Sequence, residues 1–263
     1  MTRCELKIVL VVVLIIIITC ILSRRVKPCT YVARSVPVHQ SNTIPKILFQ
    51  TSHYPRDKIP FNKLHGEFTT GYKYFLYDDA MCDGFIQQHF SKKTLDQFRK
   101  LKGPHKADLW RYCALYVHGG VYADIKTVFL THLDNIFPSG PGFRWYAVIG
   151  YTGSSVYNGI IATPPKNPMM LDLIDHCTNN YPKYYLYYVN SFLDMLKKRY
   201  RIEKVNKTEY SDDSSTVRLY HEKCNTEKEC SLVEKRDRYN YCCNIYADGD
   251  QPIISTRDPD YPW

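Results

Sequence analysis

The sequence lacks the dense run of basic residues that marks a nucleic-acid-binding domain. The 263 residues carry a formal net charge of +9, of which residues 1–28 hold +4, so +5 remains for the rest of the chain. A charge this mild argues against a nucleic-acid-binding stripe. It would still favour the approach of a small anionic ligand. The chain after residue 28 has the length of one domain with a sizeable core.

The sequence also lacks a small-x-small cleavage site after its apolar run. Residues 8–22 are almost entirely apolar and lie between Lys7 and the pair Arg24–Arg25. The run is shorter than the roughly 20 residues of an ordinary membrane span, but near the lower limit if flanking basic side chains snorkel. A cleaved signal peptide is the alternative. Because two arginines follow at once, we predict an uncleaved signal-anchor transmembrane helix over 8–22, after a short tail of residues 1–7.

Cysteine is not scarce, and its position indicates the compartment. Eight cysteines follow the apolar run, four of them in the last 40 residues: Cys29, Cys82, Cys113, Cys177, Cys224, Cys230, Cys242 and Cys243. An even number of cysteines clustered near the C-terminus is typical of a protein in an oxidising lumen. We predict a disulfide from Cys224 or Cys230 to another of the last four cysteines. Zinc is the alternative, although this spacing is poor for a zinc site.

A single glycosylation sequon agrees with the cysteines. Asn206 is followed by Lys207 and Thr208, which is the acceptor pattern for N-linked glycans. The basic residues on the two sides of the apolar run are too balanced to fix an orientation. The cysteines and the sequon together predict a type II single-pass membrane protein with a lumenal domain in the Golgi or endoplasmic reticulum, or in the corresponding host membrane if the protein is viral. Short spans also sort toward these thinner membranes.

Strand and helix patterns alternate along the chain after a polar stem of residues 23–43. Strands are predicted at 46–51, 72–77, 145–150 and 157–162, and helices at 79–90, 92–101, 106–118, 168–177 and 184–200. Asp78 and Ser91 are predicted to be the N-caps of the first two helices. Residues 134–138 are predicted to form a turn, and 211–254 short strands joined by cysteine-rich loops. This alternation predicts an α/β domain over 44–263, with a mainly parallel sheet flanked by helices and a cysteine-rich β extension at the C-terminus.

The stretch from Lys106 to Leu130 organises the domain. Asp108 and Arg111 recur at helical spacing and share one helix face. Gly119–Gly120 ends the helix, because glycine accepts the left-handed backbone of a C-terminal cap. A β-prone run follows and ends at Asp124. The carboxylates and the arginine could surround a charged ligand, and the alternative is a surface helix with an ordinary ion pair and turn.

This stretch resembles the sugar-nucleotide-binding core of glycosyltransferase family 32. The resemblance lies in residues 107–112, residues 119–122 and Asp124, and it extends to the opening strand at 44–51 and to the strand, Pro-rich turn and helix at 157–177. It implies a GT-A-like Rossmann-type fold. It also implies transfer of a hexose from GDP-mannose or a UDP-sugar to a glycan, glycolipid or glycoprotein acceptor, with retention of configuration.

The resemblance also implies roles for individual residues. Asp108 and Arg111 would face the donor sugar and its phosphates, Tyr122 would support the nucleotide or sugar, and Asn158 would contact the sugar. Each has a structural alternative: an ion pair for the first two, core packing for Tyr122, and a strand-end turn for Asn158. No nucleophile emerges from the sequence, and we assign none.

One position departs from the family's Asp-x-Asp motif. The motif would hold a divalent cation, Mn²⁺ or Mg²⁺, on oxygen ligands, but its second acid is Lys126 here. Lys126 could bind the diphosphate directly or point away while another group completes the metal site with Asp124. His221 is the candidate ligand, and its alternative is a surface strand residue. The substitution also makes an inactive sugar-binding or nucleotide-binding relative the second functional hypothesis.

Overall fold

The computed structural model of the chain describes residues 42–53, 66–138, 140, 142–225 and 242–256. All of them belong to one compact unit, Pro37–Trp263. The predicted anchor at 8–22 and nearly all of the stem lie outside the described residues. In the described part of the chain, no helix combines the length and the apolar character needed to cross a membrane.

The first half of the domain places helices between strands, as predicted. Its elements are β1 (Ile47–Thr51), a short 3-10 helix (Glu67–Thr69), β2 (Lys73–Tyr77), α1 (Asp79–His89), α2 (Lys92–Lys100), α3 (Pro104–His118), β3 (Gly120–Ala123), β4 (Val128–Phe129) and α4 (Leu133–Ile136). The predicted N-caps are confirmed: Met81 donates its backbone N–H to Asp78 Oδ1 at 2.8 Å, and Thr94 donates to Ser91 Oγ at 3.3 Å.

The second half ends in a run of strands. Its elements are β5 (Arg144–Ile149), β6 (Ile160–Thr163), α5 (Pro168–Asn179), α6 (Tyr187–Tyr200), β7 (Glu209–Ser211), β8 (Thr216–Asn225), β9 (Cys242–Tyr246) and β10 (Pro252–Ser255). The turn predicted at 134–138 is wrong in part, because Leu133–Ile136 forms a one-turn helix. His132 caps that helix through a bond from the Asp134 backbone N–H to its Nδ1 at 3.2 Å.

The sheet is mixed, so the prediction of a mainly parallel sheet is wrong. Its strand order is β2-β1-β3-β6-β5-β8-β9-β10-β4, with β7 beside β8. Parallel pairing joins β1 to β2, β1 to β3 and β5 to β8, whereas the other pairs are antiparallel. The physical reason is connection length. Residues 150–159 between β5 and β6 contain no helix, and parallel neighbours need a longer crossover.

The strand order reverses at β1, and this reversal creates the crevice of the fold. The chain leaves β1 to form β2 on one side and later returns to form β3 on the other. In open α/β sheets, ligands bind outside the carboxyl ends of strands at such a switch point. Gly119 and Gly120, which link α3 to β3, allow the backbone to pack closely against neighbouring segments. A Cβ on Gly119 would lie 2.6 Å from Pro165 N, and one on Gly120 2.8 Å from Ile47 O.

Candidate functional site

The carboxyl ends of the parallel strands surround a cavity of about 510 Å³. Its wall contains residues from the end of each of these strands. They are Thr51, Ser52 and His53 at the end of β1, Asp79 after β2, and residues 124–126 after β3. The first turn of α3 and Tyr185 also contribute to the wall. A volume of this size suits a small-molecule ligand. The cavity therefore lies where the strand order predicts a ligand crevice.

Arg111 is the centre of the charged groups beneath this cavity. Its side chain is 4% exposed, and its guanidinium nitrogens lie 3.2 Å from Asp108 Oδ1 and 3.5 Å from Asp124 Oδ1. The guanidinium also packs over the Tyr122 ring, with its central carbon 4.4 Å from the ring centroid. Burial alone would lower the pKa of Arg111, but Tyr122 and the two carboxylates hold it above its ordinary value. Arg111 is therefore a permanent buried cation.

Asn158 fixes Arg111 from behind. It accepts two hydrogen bonds from Arg111 Nη1, one at its backbone oxygen at 2.6 Å and one at Oδ1 at 3.1 Å. Its Nδ2 donates to Asp108 Oδ1 at 2.9 Å and to the Tyr112 hydroxyl at 2.8 Å. Burial raises the pKa of Asp108, while Arg111 and Asn158 oppose that rise. This network satisfies groups that would be costly to bury alone.

Asp124 is the acid that faces the cavity. Its Oδ1 accepts a hydrogen bond from the Tyr122 hydroxyl at 3.1 Å, and Lys126 Nζ lies 3.9 Å from its Oδ2. Its backbone is fixed by bonds to Gly159 O at 2.8 Å and from Gln50 Nε2 at 3.1 Å. A Cβ on Gly159 would lie 2.7 Å from Asp124 Oδ2. The carboxylate is thus held in one orientation.

The predicted site residues divide into two groups. Arg111, Tyr122, Asp124 and Lys126 line the cavity. Asp108 and Asn158 are 6% and 7% exposed and are hydrogen-bonded behind Arg111, so their contacts in the structure are with the protein. The structure therefore brings four of the predicted residues to one cavity, and their role in binding a donor stays a prediction.

A family model for the glycosyltransferase sugar-binding region containing the DXD motif matches residues 58–141, which include the charged groups just described. An uncharacterized glycosyltransferase of Acanthamoeba polyphaga mimivirus is 26% identical over 225 residues, covering 81% of this chain and 79% of the viral protein. The chain is thus similar to DXD-containing glycosyltransferases, as its resemblance to family 32 predicted. These similarities confirm the prediction of a glycosyltransferase.

Two fungal enzymes are similar over shorter stretches. A mannosyl phosphorylinositol ceramide synthase of Saccharomyces cerevisiae is 30% identical over 152 residues, 56% of this chain and 38% of that protein. An initiation-specific alpha-1,6-mannosyltransferase of Candida albicans is 31% identical over 108 residues, 37% of this chain and 28% of that protein. The matches thus span well under half of these fungal proteins. Both names are of mannose-transferring enzymes, and neither similarity favours the inactive alternative.

The side chains of this glycosyltransferase fit poorly with the metal that DXD motifs typically hold. The motif supplies a single carboxylate, and each Asp124 oxygen faces a cation: Arg111 at Oδ1 and Lys126 at Oδ2. His221 lies on β8, three positions from β3 in the sheet, and is outside the cavity wall. Burial lowers its pKa, with Lys223 adding to the effect. Within the described residues, the structure does not bring Asp124 and His221 into a group of clustered ligand atoms.

Lys106 and Tyr185 are cavity residues that sequence analysis missed. Lys106 lies in the first turn of α3, and its Nζ is 3.2 Å from Asp79 Oδ2. Its position directly before the Ala107–Asp108 motif was the available signal. Tyr185 lies 79 residues after Lys106 in the chain, so only the folded structure shows that the two share one cavity.

The cysteine prediction is confirmed by the structure. Cys224 and Cys243 form a disulfide that joins the neighbouring strands β8 and β9. Cys82, Cys113 and Cys177 are buried thiols whose pKa values burial raises well above the ordinary range, so they are poor nucleophiles. Cys230 lies outside the described residues.

Proposed function

We propose that this glycosyltransferase transfers a hexose, with mannose the first candidate, from a nucleotide sugar to a glycan, glycolipid or glycoprotein acceptor with retention of configuration. The observation that carries the proposal is the basic cavity at the switch point of the sheet. Lys106, Arg111 and Lys126 line it together with the oriented carboxylate of Asp124. GDP-mannose and UDP-hexoses are the donors to test, and the names of the fungal relatives support mannose.

The basic residues would act on the departing diphosphate. Transfer breaks the bond between the anomeric carbon and a phosphate oxygen, so negative charge grows on the diphosphate as the sugar becomes cationic. Lys106 and Lys126 place ammonium groups beside the cavity, and α3 directs its positive N-terminal end toward it. Fixed positive charge in a preorganised site stabilises such a transition state.

Asp124 would orient the donor, whereas the basic residues would stabilise the departing diphosphate. An ionised carboxylate accepts hydrogen bonds and can hold the hydroxyls of the ribose or of the sugar. Tyr122 and Arg111 fix its position, and Asn158 fixes Arg111 in turn. The reacting carbon would then be held against the diphosphate in one geometry, which is the contribution that positioning makes to rate.

No step of this mechanism passes through a metal. DXD glycosyltransferases typically bind a divalent cation, and Mn²⁺ or Mg²⁺ was the expectation from the sequence. A cation at Asp124 would have to compete with Lys126 for Oδ2 and with Arg111 for Oδ1. Position 126, where the motif has its second acid, is a lysine. We therefore assign Lys126 to the diphosphate in this proposal.

The proposal places the enzyme in a secretory membrane as a type II protein. The apolar run at 8–22 and the Cys224–Cys243 disulfide support a lumenal domain. Asn206 is exposed, as a glycan acceptor must be. Glycosidase treatment of protein made in eukaryotic cells should raise its gel mobility, and Asn206→Gln should remove that shift. An unglycosylated wild type with free Cys224 and Cys243 thiols would contradict the lumenal assignment.

A donor screen tests the function itself. The full chain is incubated with GDP-mannose, UDP-glucose, UDP-galactose and UDP-N-acetylglucosamine, with and without Mn²⁺, and released nucleotide is measured. We expect release from GDP-mannose, and retained anomeric configuration in the product by nuclear magnetic resonance. Release from a UDP-sugar alone would replace mannose as the transferred sugar. Release from none of the donors in the presence of glycan acceptors would overturn the proposed function.

A further inference from the structure

Exposed apolar side chains concentrate in one short segment beside the cavity. Seven large hydrophobic residues of the described chain are markedly exposed, and four of them fall within residues 181–186. They are Tyr181, Tyr184, Tyr185 and Leu186, with exposed fractions of 55%, 53%, 71% and 47%. Isolated exposed residues need no explanation, but a contiguous patch marks a binding surface. We call residues 181–186 the tyrosine patch.

The tyrosine patch is continuous with the donor cavity. Tyr185 belongs to the cavity wall together with Lys106 and Lys126. Tyr181 and Tyr184 are not among the residues of that wall, so the patch leads from the cavity to the outer surface. In the proposed reaction the nucleotide would occupy the interior of the cavity, so an acceptor would approach the donor sugar from outside. The patch therefore lies where an acceptor would enter.

The backbone of the patch is held in place before any ligand binds. His105, in the first turn of α3, contacts the Tyr185 carbonyl oxygen through Nε2 at 3.0 Å. The Tyr187 backbone N–H donates to Tyr184 O at 3.1 Å, and the Tyr188 hydroxyl donates to Asn180 O at 2.7 Å. A preformed surface loses little entropy on binding. Tyrosine adds rigid, amphipathic contact area at low entropic cost.

From this arrangement we propose that the tyrosine patch is the acceptor-binding platform of the enzyme and that it takes an oligosaccharide. A pyranose ring presents an apolar C–H face that packs on an aromatic ring, while its hydroxyls bond to polar groups such as the tyrosine hydroxyl. Three exposed tyrosines provide faces for more than one sugar unit. No acidic residue occurs between Asn180 and Asn190, so the patch itself carries no carboxylate.

The inference rests on the proposed function, and its test separates the two. The variants are Tyr185→Ala and Tyr184→Ala, with Tyr185→Phe as the conservative change. Leu171→Ala is the matched control, because Leu171 is an exposed apolar residue on α5, 38% exposed and outside the cavity wall. Three quantities are measured: binding to an array of oligosaccharides, binding of GDP and UDP by calorimetry, and the acceptor KM.

The wild type should bind at least one oligosaccharide, and each alanine variant should weaken that binding about fivefold to tenfold, the size of one aromatic contact. The acceptor KM should rise by a similar factor in both alanine variants. Nucleotide affinity should stay unchanged in Tyr184→Ala, because Tyr184 lies outside the cavity wall. Tyr185→Phe and Leu171→Ala should remain within about twofold of the wild type, since the ring is kept in one and the patch is intact in the other.

Several results would overturn the platform. A wild type that binds no oligosaccharide, or alanine variants that bind as well as wild type, would remove it. Weaker GDP binding with unchanged glycan binding would assign the tyrosines to the donor. Weaker retention on phosphatidylserine vesicles with unchanged glycan binding would assign them to a membrane surface. Glycan binding by the patch without sugar transfer from any donor would contradict the proposed function alone.

Discussion

Two regions of the sheet are stabilised in different ways. Around β1, β3 and α3, the chain buries an arginine between two carboxylates, with side chains 4%, 8% and 23% exposed. Around β8 and β9, a disulfide joins two neighbouring antiparallel strands. Burying charge is costly unless every group is paired. The first region therefore retains an arrangement that stability alone would not favour, and this difference supports the proposed site there.

The comparison predicts that the arginine is the most sensitive position. Arg111→Met would leave Asp108 and Asp124 without their buried cation, so we expect a loss of about 3–5 kcal/mol in unfolding free energy. Denaturant unfolding followed by circular dichroism measures it. Arg99→Met is the control, because Arg99 forms an exposed pair with Asp83, at 2.7 Å with 52% of its side chain exposed, and should change little. Equal effects of the two substitutions would contradict the comparison.

Asp124→Asn, in the same region, should lower sugar transfer while the protein stays folded. The amide keeps the shape of the side chain but removes the charge that we propose orients the donor. We expect sugar transfer to fall about 10²-fold to 10³-fold, as for other preorganised groups, with a folded protein by circular dichroism. Steady-state kinetics with GDP-mannose provides the measurement. Full transfer activity in this variant would remove Asp124 from the mechanism.

Removing the disulfide should lower stability and leave nucleotide binding unchanged. Replacing Cys224 and Cys243 with serine opens a link with a sequence separation of 19 residues. We expect stability to fall by about 2–4 kcal/mol, with nucleotide binding unchanged at a temperature where the variant is folded. Thermal unfolding and calorimetry on the same sample check both halves. A variant of wild-type stability, or one that no longer binds nucleotide while folded, would break the contrast between the two regions.

The sequence predicted local structure where local chemistry determines it. Asp78 and Ser91 were recognised as helix caps, and Gly119–Gly120 as the end of α3, because each depends on a few neighbouring residues. The sheet pairing was missed, although the six residues between the strands predicted at 145–150 and 157–162 are too few for a parallel crossover. Spacing could have given that result without the structure.

The cavity was only half predictable for the same reason. Arg111, Asp124 and Lys126 lie close together in the chain and belong to one motif, so their grouping follows from the sequence. Tyr185 reaches the cavity from a segment that no local pattern connects to α3. Asn158 was expected at the sugar but holds Arg111 from behind. Its role depends on the antiparallel pairing of β6 with β3, which the sequence did not reveal.

Lys126 supports the central claim of this account, that fixed cations hold the donor diphosphate in the cavity. The measurement is isothermal titration of GDP and UDP into the wild type and into Lys126→Ala, in EDTA and then in Mn²⁺. Lys100→Ala serves as control, since Lys100 is an exposed lysine of α2 outside the cavity. We predict wild-type binding in EDTA, about tenfold weaker binding for Lys126→Ala, and no change for Lys100→Ala. Wild-type binding that vanishes in EDTA and returns with Mn²⁺, with Lys126→Ala indistinguishable from wild type, would contradict the claim.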